Sequence, residues 1–301
     1  MIDHAQVFQR LRPRLQGLAY RMLGSVGDAE DAVQEAFLRW HGADMSEIRS
    51  PEAWLVTVVT RLCLDRLRAA AAEREAYIGP WLPEPLVGGQ VDAPDRRVEL
   101  ASDLSMAFLI VLERLAPEER AAFLLRDVFD CDYPDIARAL GKSEAACRQI
   151  VHRARVRVRR DKPRFEVSEA AHQRLLRRYL DALNTRDEAK LVALFAEDAT
   201  LVTDGGGKVV AALNVIRGAD KVTRGTLGVM RKISGRIAHE VVPINGQLGI
   251  ATYVDGRPFS ATAIETDGRR ILAVFRVLNP DKLGGLIGLA PAQGERPSLA
   301  S

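Results

Sequence analysis

Between Tyr133 and Arg160 the chain reads YPDIARALGKSEAACRQIVHRARVRVRR, where side chains able to grip nucleic acid fall at the spacing of a helix-turn-helix. Pro134 suits the first turn of a helix, where a missing N–H costs nothing. Ile136, Ala137 and Leu140 then form a short apolar stripe, and Gly141 can take the left-handed conformation that ends a helix. Ser143 is predicted to cap the next helix, with Glu144 in its electropositive first turn. Along that second helix Ala146, Ile150 and Ala154 are expected to face inward. Arg148, Gln149, His152, Arg153 and Arg155 fall largely outside that face. The short side chains of Ala145, Ala146 and Cys147 would let the backbone approach a groove, while arginine and glutamine reach base edges and phosphates. The competing reading is an arginine-rich surface hairpin.

Charge placement says more than total charge. The net value over 301 residues is only +3, yet Arg148 to Arg164 is densely positive and Asp28 to Glu35 is acidic, so two opposite local fields are expected. Apolar content of 47% and charged content of 28% describe an ordinary globular protein, long enough for two or three domains. The three cysteines, Cys63, Cys131 and Cys147, form no CxxC or Cys/His ligand spacing. No zinc site, metal or disulfide framework is expected, and a reducing cytoplasm fits. Met1 leads into a polar amphipathic segment without a signal-peptide core, and no apolar run approaches a membrane span, so the expected location is cytoplasmic.

Three blocks and one linker must position these residues. Residues 4–75 read as helical throughout: Val7, Leu11, Leu15, Leu18 and Met22 recur at helical intervals. Ala32, Val33, Ala36, Phe37 and Trp40 continue the pattern after a Gly24–Gly27 turn, with Asp28 as the expected cap. Ser50-Pro51-Glu52 opens a further helix with a basic end at Arg61, Arg66 and Arg68. Residues 76–98 are a linker, because Gly79, Pro80, Pro83, Pro85, Gly88, Gly89 and Pro94 forbid a regular helix. Its Trp81 either packs back onto a neighbouring domain or marks a functional insertion. Residues 99–161 are helical again, and Lys162-Pro163-Arg164 breaks the pattern.

Residues 168–290 change character. Helices are expected over 170–183, up to Phe195 and near 218–232, with a short strand over Ala199–Thr203. Asn245-Gly246, Asp255-Gly256 and Asp267-Gly268 are pairs suited to type I′ hairpin turns. They divide four apolar segments, near 237–244, 247–254, 257–266 and 269–278. An antiparallel meander with helices on one face follows, and the tail after Leu283 is expected to fray.

The two helical blocks resemble regions two and four of the sigma-70 family. They are most similar to the extracytoplasmic-function type that lacks the middle domain. The matching stretches are LAYRMLGSVGDAEDAVQEAFLRW (18–40), SPEAWLVTVVTRLCLDRLRA (50–69) and the run from Leu112 to Arg160. The resemblance implies a protein that carries bacterial core RNA polymerase, through its β′ clamp and β flap, to promoter DNA. Asp28, Asp31, Gln34, Glu35 and Arg39 would dock the polymerase. Arg61, Asp65 and Arg68, with the preceding loop 41–49, would read and open the −10 element, where an unstacked base must be held in a pocket. Ser143, Arg148, Gln149, His152, Arg153 and Arg155 would serve the −35 element. The arginines from 155 to 160 would mostly contact phosphates. Arg61 departs from the asparagine often found there.

Residues 168–290 resemble the NTF2/SnoaL-like fold, a curved sheet and helices around a conical pocket. The fold class implied is multidomain: two all-α domains followed by an α+β cone. Three short sequences match the sigma subgroup with such an extension. They are Trp81-Leu82-Pro83-Glu84-Pro85-Leu86, Asp204-Gly205-Gly206-Gly207-Lys208 and Asn279-Pro280-Asp281-Lys282-Leu283. The resemblance implies regulation in cis, with no separate anti-sigma factor, and leaves room for a small-molecule ligand. The glycine run is read as a turn that approaches another backbone closely.

Enzymatic chemistry is not expected, and no cofactor is implied. Asp181, Asp198, Tyr179, His239 and Tyr253 could serve as acids or bases, but their spacing shows no convergence. The alternative reading is a ligand-responsive DNA-binding regulator, with a small-molecule-binding or enzymatic SnoaL-like domain.

Overall fold

The computed structural model describes residues 4–44, 46, 48–88, 104–161 and 167–289. The chain folds as two compact units. In the first, α1 (His4–Leu23), α2 (Val26–His41) and α3 (Pro51–Ala69) pack together, followed by the short α4 (Ala71–Glu75). Leu18, Ala32, Trp40, Leu55 and Val59 are fully buried among them, and the rings of Trp40 and Trp54 lie 5.7 Å apart. Ser25, and not Asp28, caps α2: its hydroxyl accepts the Asp28 N–H. Asp28 instead occupies the first turn, where a carboxylate suits the helix dipole. Ser50 caps α3, and Pro51 opens it, as the sequence predicts.

The same unit contains α5 (Met106–Glu113), α6 (Pro117–Phe123) with a π turn over Leu124–Val128, α7 (Tyr133–Leu140) and α8 (Glu144–Asp161). The two helical blocks therefore form one body. Buried Arg120 joins them, donating to the Met22 carbonyl and to Glu113, each at 2.6 Å. Arg14 donates to the Phe129 carbonyl at 2.6 Å.

The second unit contains α9 (Glu169–Thr185), α10 (Glu188–Leu194) and α11 (Ala219–Lys232) against a six-stranded sheet. The strands are β1 (Phe195–Asp204), β2 (Ile216–Arg217), β3 (Ile237–Ile244), β4 (Gln247–Val254), β5 (Arg257–Thr266) and β6 (Ile271–Val277), in spatial order β2-β1-β6-β5-β4-β3. The expected meander is present from β3 to β6. What the alternation of apolar residues does not reveal is that β1 lies parallel to β6. β1 is also longer than expected, beginning at Phe195, where α10 has just ended.

Asn245-Gly246 and Asp255-Gly256 have positive φ at both residues, as type I′ turns require. Asp267-Gly268 differs: only Gly268 has positive φ, and the Asp267 carboxylate accepts the N–H groups of Arg269 and Arg270. The side chain adds to the backbone bond from the Asp267 N–H to the Arg270 carbonyl at 3.3 Å, and the loop spans 267–270. Nor does the chain fray immediately after Leu283. Gly284–Leu286 makes a 3-10 turn, and Leu286 is buried, its carbonyl accepting the Tyr253 hydroxyl. Linker residues 89–98, positions 99–103 of the second helical block, and Lys162-Pro163-Arg164 lie outside the described residues, as does position 290.

Candidate nucleic-acid interface

The second helix of the helix-turn-helix is held by its first turn. Gly141 is left-handed (φ 64), ending α7, and the Ser143 hydroxyl accepts the Ala146 N–H at 3.2 Å. The buried face of α8 is Cys147, Ile150, Val151, Ala154 and Val158. Cys147 thus belongs to the core and does not thin the outer face, whereas Ala145 is exposed. Ile150 and Ala154 are buried as expected, while Ala146 is only half-buried and Cys147 takes its place in the stripe, which Val151 and Val158 widen. Arg148, Gln149, His152 and Arg153 are exposed together on the outer face. Arg148 pairs with Glu144 at 2.8 Å and lies 4.9 Å above the Tyr133 ring, so its guanidinium is braced rather than loose.

Arg155 and Arg157 are used differently. Arg155 forms a two-pronged pair with Asp127, which raises its pKa through that hydrogen bond, and Arg157 pairs with Glu119. Arg153 also reaches Glu119, at 3.5 Å. Part of the basic run is thus spent on holding α8 to the body of the unit.

On α3, Arg61, Asp65 and Arg68 are exposed on one side, and Asp65 pairs with Arg68 at 3.3 Å. Arg68 also reaches Glu118 at 3.5 Å. Arg61 does not point freely outward. Its Nη2 donates to the Arg138 carbonyl at 2.6 Å and its Nε to the Ala139 carbonyl at 3.3 Å, capping the C-terminal end of α7. Beside it, a cleft of about 590 Å³ is lined by Ile48, Arg49, Trp54, Val58, Arg61 and Arg138. On α2, Asp28, Asp31, Gln34 and Arg39 are exposed and Glu35 is half-buried. Glu35 pairs with Arg39 at 2.6 Å, and the Asp28 carbonyl accepts Arg66. The neighbouring Leu38 is 63% exposed, an apolar residue among these charges.

The Sigma-70 region 2 family matches residues 7–73, and the Sigma-70, region 4 family matches residues 105–158. The chain is 41% identical over 290 residues to the ECF RNA polymerase sigma factor SigJ of Mycobacterium tuberculosis, covering 92% of each chain. It is 32% identical over 278 residues to the probable ECF RNA polymerase sigma factor SigI of that organism, covering 91% of this chain and 93% of the other. The crystal structure of SigJ superposes with a TM-score of 0.74 at 39% identity, covering 93% of this chain and 98% of that one. The chain belongs to the extracytoplasmic-function sigma factor family.

In this sigma factor the cone-shaped C-terminal domain gathers the three short motifs around one carboxylate. Asp204, at the end of β1, is fully buried. One oxygen accepts the Tyr77 hydroxyl at 2.6 Å; the other accepts the Leu82 N–H at 2.9 Å and Lys282 Nζ at 2.7 Å. Lys282 also donates to the Leu82 carbonyl at 2.6 Å and lies 4.1 Å above the Trp81 ring. The Asn279 amide donates to the Tyr77 hydroxyl at 3.0 Å and its oxygen accepts the Asp281 N–H. Pro280 opens the short 3-10 turn that carries Lys282, and Leu283 is buried behind it.

The linker of the sigma factor is therefore a docked strap as far as Gly88. Leu82, Pro83 and Pro85 are buried and Glu84 is half-buried. The Leu86 carbonyl accepts the Asn245 N–H at 2.8 Å, Val87 bridges Ile244, and Gly88 donates to the Pro243 carbonyl. Gly206 and Gly207 have positive φ. A Cβ on Gly206 would lie 2.3 Å from Asn279 Nδ2, so the close approach is to a side chain, not to backbone. Gly205 is equally confined, by Val209 and Ala211, and Lys208 pairs with Asp281.

From sequence, Tyr77 and Val87 are not marked, and Asn245 is marked only as a turn residue. An aromatic residue just before the Gly79-Pro80 break was the available signal for Tyr77; nothing local marks Asn245 or Val87 as strap partners. Among the enzyme candidates, Asp181 pairs with Lys190 at 3.6 Å, whereas Tyr179 and Tyr253 are fully buried.

Proposed function

We propose that this sigma factor binds core RNA polymerase through the exposed face of α2 and carries it to promoters whose −35 element is read by α8. Exposed Arg148, Gln149, His152 and Arg153, on a helix capped by Ser143, carry this reading, because arginine and glutamine on one face of a recognition helix suit major-groove edges. Asp28, Asp31, Gln34, Glu35 and Arg39 meet the β′ clamp, and the helix-turn-helix domain meets the β flap. Arg61, Asp65 and Arg68 serve the −10 element, with the cleft beside Arg61 and Trp54 receiving an unstacked base. Arg61 must leave the α7 carbonyls to do so.

The domains act as region two over 4–75, a strap and linker over 76–98, region four over 99–161 and a regulatory cone over 168–290. The cone modulates activity in cis by holding the strap that connects the helical blocks, so that polymerase binding supplies the free energy to rearrange them. No separate anti-sigma factor is required, the cone takes a small-molecule ligand, and the protein works in the cytoplasm without catalysing covalent chemistry. None of the helices of the described residues is long and apolar enough to cross a membrane.

The test is run-off transcription with purified core polymerase and the full chain. Retention on core enzyme and a promoter-dependent transcript, lost in Arg148→Ala, are expected. A chain that fails to bind core polymerase overturns the proposal. Lys282→Ala is expected to change transcript yield without preventing core binding; unchanged yield would remove the strap from the regulation.

A further inference from the structure

The helix-covered face of the sheet carries a band of polar side chains that promoter recognition does not use. The register sets His239 opposite Thr252, Thr252 opposite Ser260, Thr262 opposite Arg276, and Arg276 opposite Thr203. Paired residues share a face, so the band crosses β3, β4, β5, β6 and β1. Leu201, Ile250, Ile264 and Val274, on the same face, belong to the apolar core beneath the helices. Polar residues at core positions need a reason.

Arg276 is 6% exposed. Its Nε donates to Thr262 at 3.3 Å and its Nη2 to the Tyr179 hydroxyl at 3.0 Å. Among the described residues its Nη1 makes no hydrogen bond and no carboxylate lies within salt-bridge distance. A guanidinium buried without an anion carries a desolvation cost that neutral hydroxyls do not offset. His239 places Nδ1 3.0 Å from the Thr252 hydroxyl, and its Nε2 is buried with no partner. Burial, and then the Arg276 charge, lower its pKa to about 4, so the ring is neutral near pH 7. Thr223 and Thr226, on the helix that covers β1, also keep buried hydroxyls without partners.

We propose that the C-terminal domain binds a small monocarboxylic acid, its carboxylate on Arg276 and His239 and its apolar body toward the partly buried Ile237 and Leu248 on the same face. This rests on the reading that the cone takes a small molecule. One unpaired cation beside a neutral ring matches one negative charge; a phosphate dianion would leave a second charge buried and unpaired. The apolar surface adjoining the band selects an aromatic or aliphatic body. Entry is from the β3 edge, where Val241, on the same face as His239, is 38% exposed.

The experiment uses the full chain with benzoate and hexanoate, and with benzamide and hexanamide as neutral counterparts, each to about 10 mM, read by saturation-transfer NMR and thermal denaturation. At least one acid is expected to bind and raise Tm, roughly tenfold more tightly than its amide. Arg276→Gln is expected to abolish that preference. Should Arg276→Gln not fold, Tyr179→Phe, which releases the guanidinium, is expected to weaken the acid at least about threefold. An amide that binds as well as its acid, or acid binding that survives the substitution, overturns the acid assignment and leaves a small-molecule domain standing. Failure of all four probes to bind overturns both.

Discussion

Asp204 and Lys282 form an ion pair at 2.7 Å in which the carboxylate is fully buried and the lysine side chain is 12% exposed. The pair links β1 to the segment after β6. Through the Leu82 N–H and carbonyl and the Trp81 ring it also fixes the strap. A buried pair is costly to break because the surviving charge is left without compensation. Asp204→Ala is expected to lower the stability of the C-terminal domain by about 3–5 kcal/mol. Asp204→Ala with Lys282→Met should recover part of that loss. Urea unfolding followed by tryptophan fluorescence measures both, and equal losses in the single and double variants would contradict the pairing.

Gly206→Ala tests the close approach independently of charge. The position has φ 59 and no room for a Cβ beside Asn279 and Tyr77. The expected loss is about 2 kcal/mol or more, from left-handed strain and overlap together. Gly256→Ala, at φ 76 in open space, should carry the strain alone and cost less. The thermal midpoints of the two variants decide it.

Arg148 and Arg155 should separate recognition from stability. Arg148→Ala is expected to weaken binding to a −35 duplex by about 1–3 kcal/mol, with the thermal midpoint unchanged. Arg155→Ala removes the two-pronged pair with Asp127 and should lower stability of the helical unit by about 1 kcal/mol. Fluorescence anisotropy on holoenzyme and circular dichroism measure the two effects.

Two side chains of the cone should give opposite pH dependences. Burial raises Glu265 from 4.5 to about 7, so its contribution is fully present below pH 4.5 and is lost as pH rises through 7. His239 is lowered from 6.5 to about 4, so its contribution is present above pH 6.5 and is lost as pH falls toward 4. Relative to the parent, Glu265→Gln should become progressively more stabilising from pH 4.5 to 7, and His239→Gln from pH 6.5 down to 4. Each difference changes by up to about 1.4 kcal/mol per pH unit. Differences independent of pH, in denaturant titrations across this range, would refute the assignment.

The cysteines should differ in reactivity. Cys63 is fully buried, and burial pushes its thiol up to about 12; Cys147 is also buried, while Cys131 is partly exposed. A thiol reagent at pH 8 is expected to label one equivalent per native chain, at Cys131, and three after denaturation.

The sequence by itself determined the local elements and much of their chemistry. Pro134, Gly141 and Ser143 specify a helix-turn-helix because a missing N–H, a left-handed φ and a capping hydroxyl are properties of single residues. Asn245-Gly246 and Asp255-Gly256 likewise specify their hairpins. Alternation along β3 to β6 specifies their meander, since each strand pairs with its neighbour in the chain. Only the tertiary structure decided what depends on distant partners. It paired β1 parallel to β6, turned Arg61 onto the carbonyls of Arg138 and Ala139, and placed Asp204 where Tyr77, Leu82 and Lys282 converge. No spacing rule encodes these contacts, because each joins residues more than seventy positions apart, and burial of the charges among them follows from packing rather than from any residue's own preference.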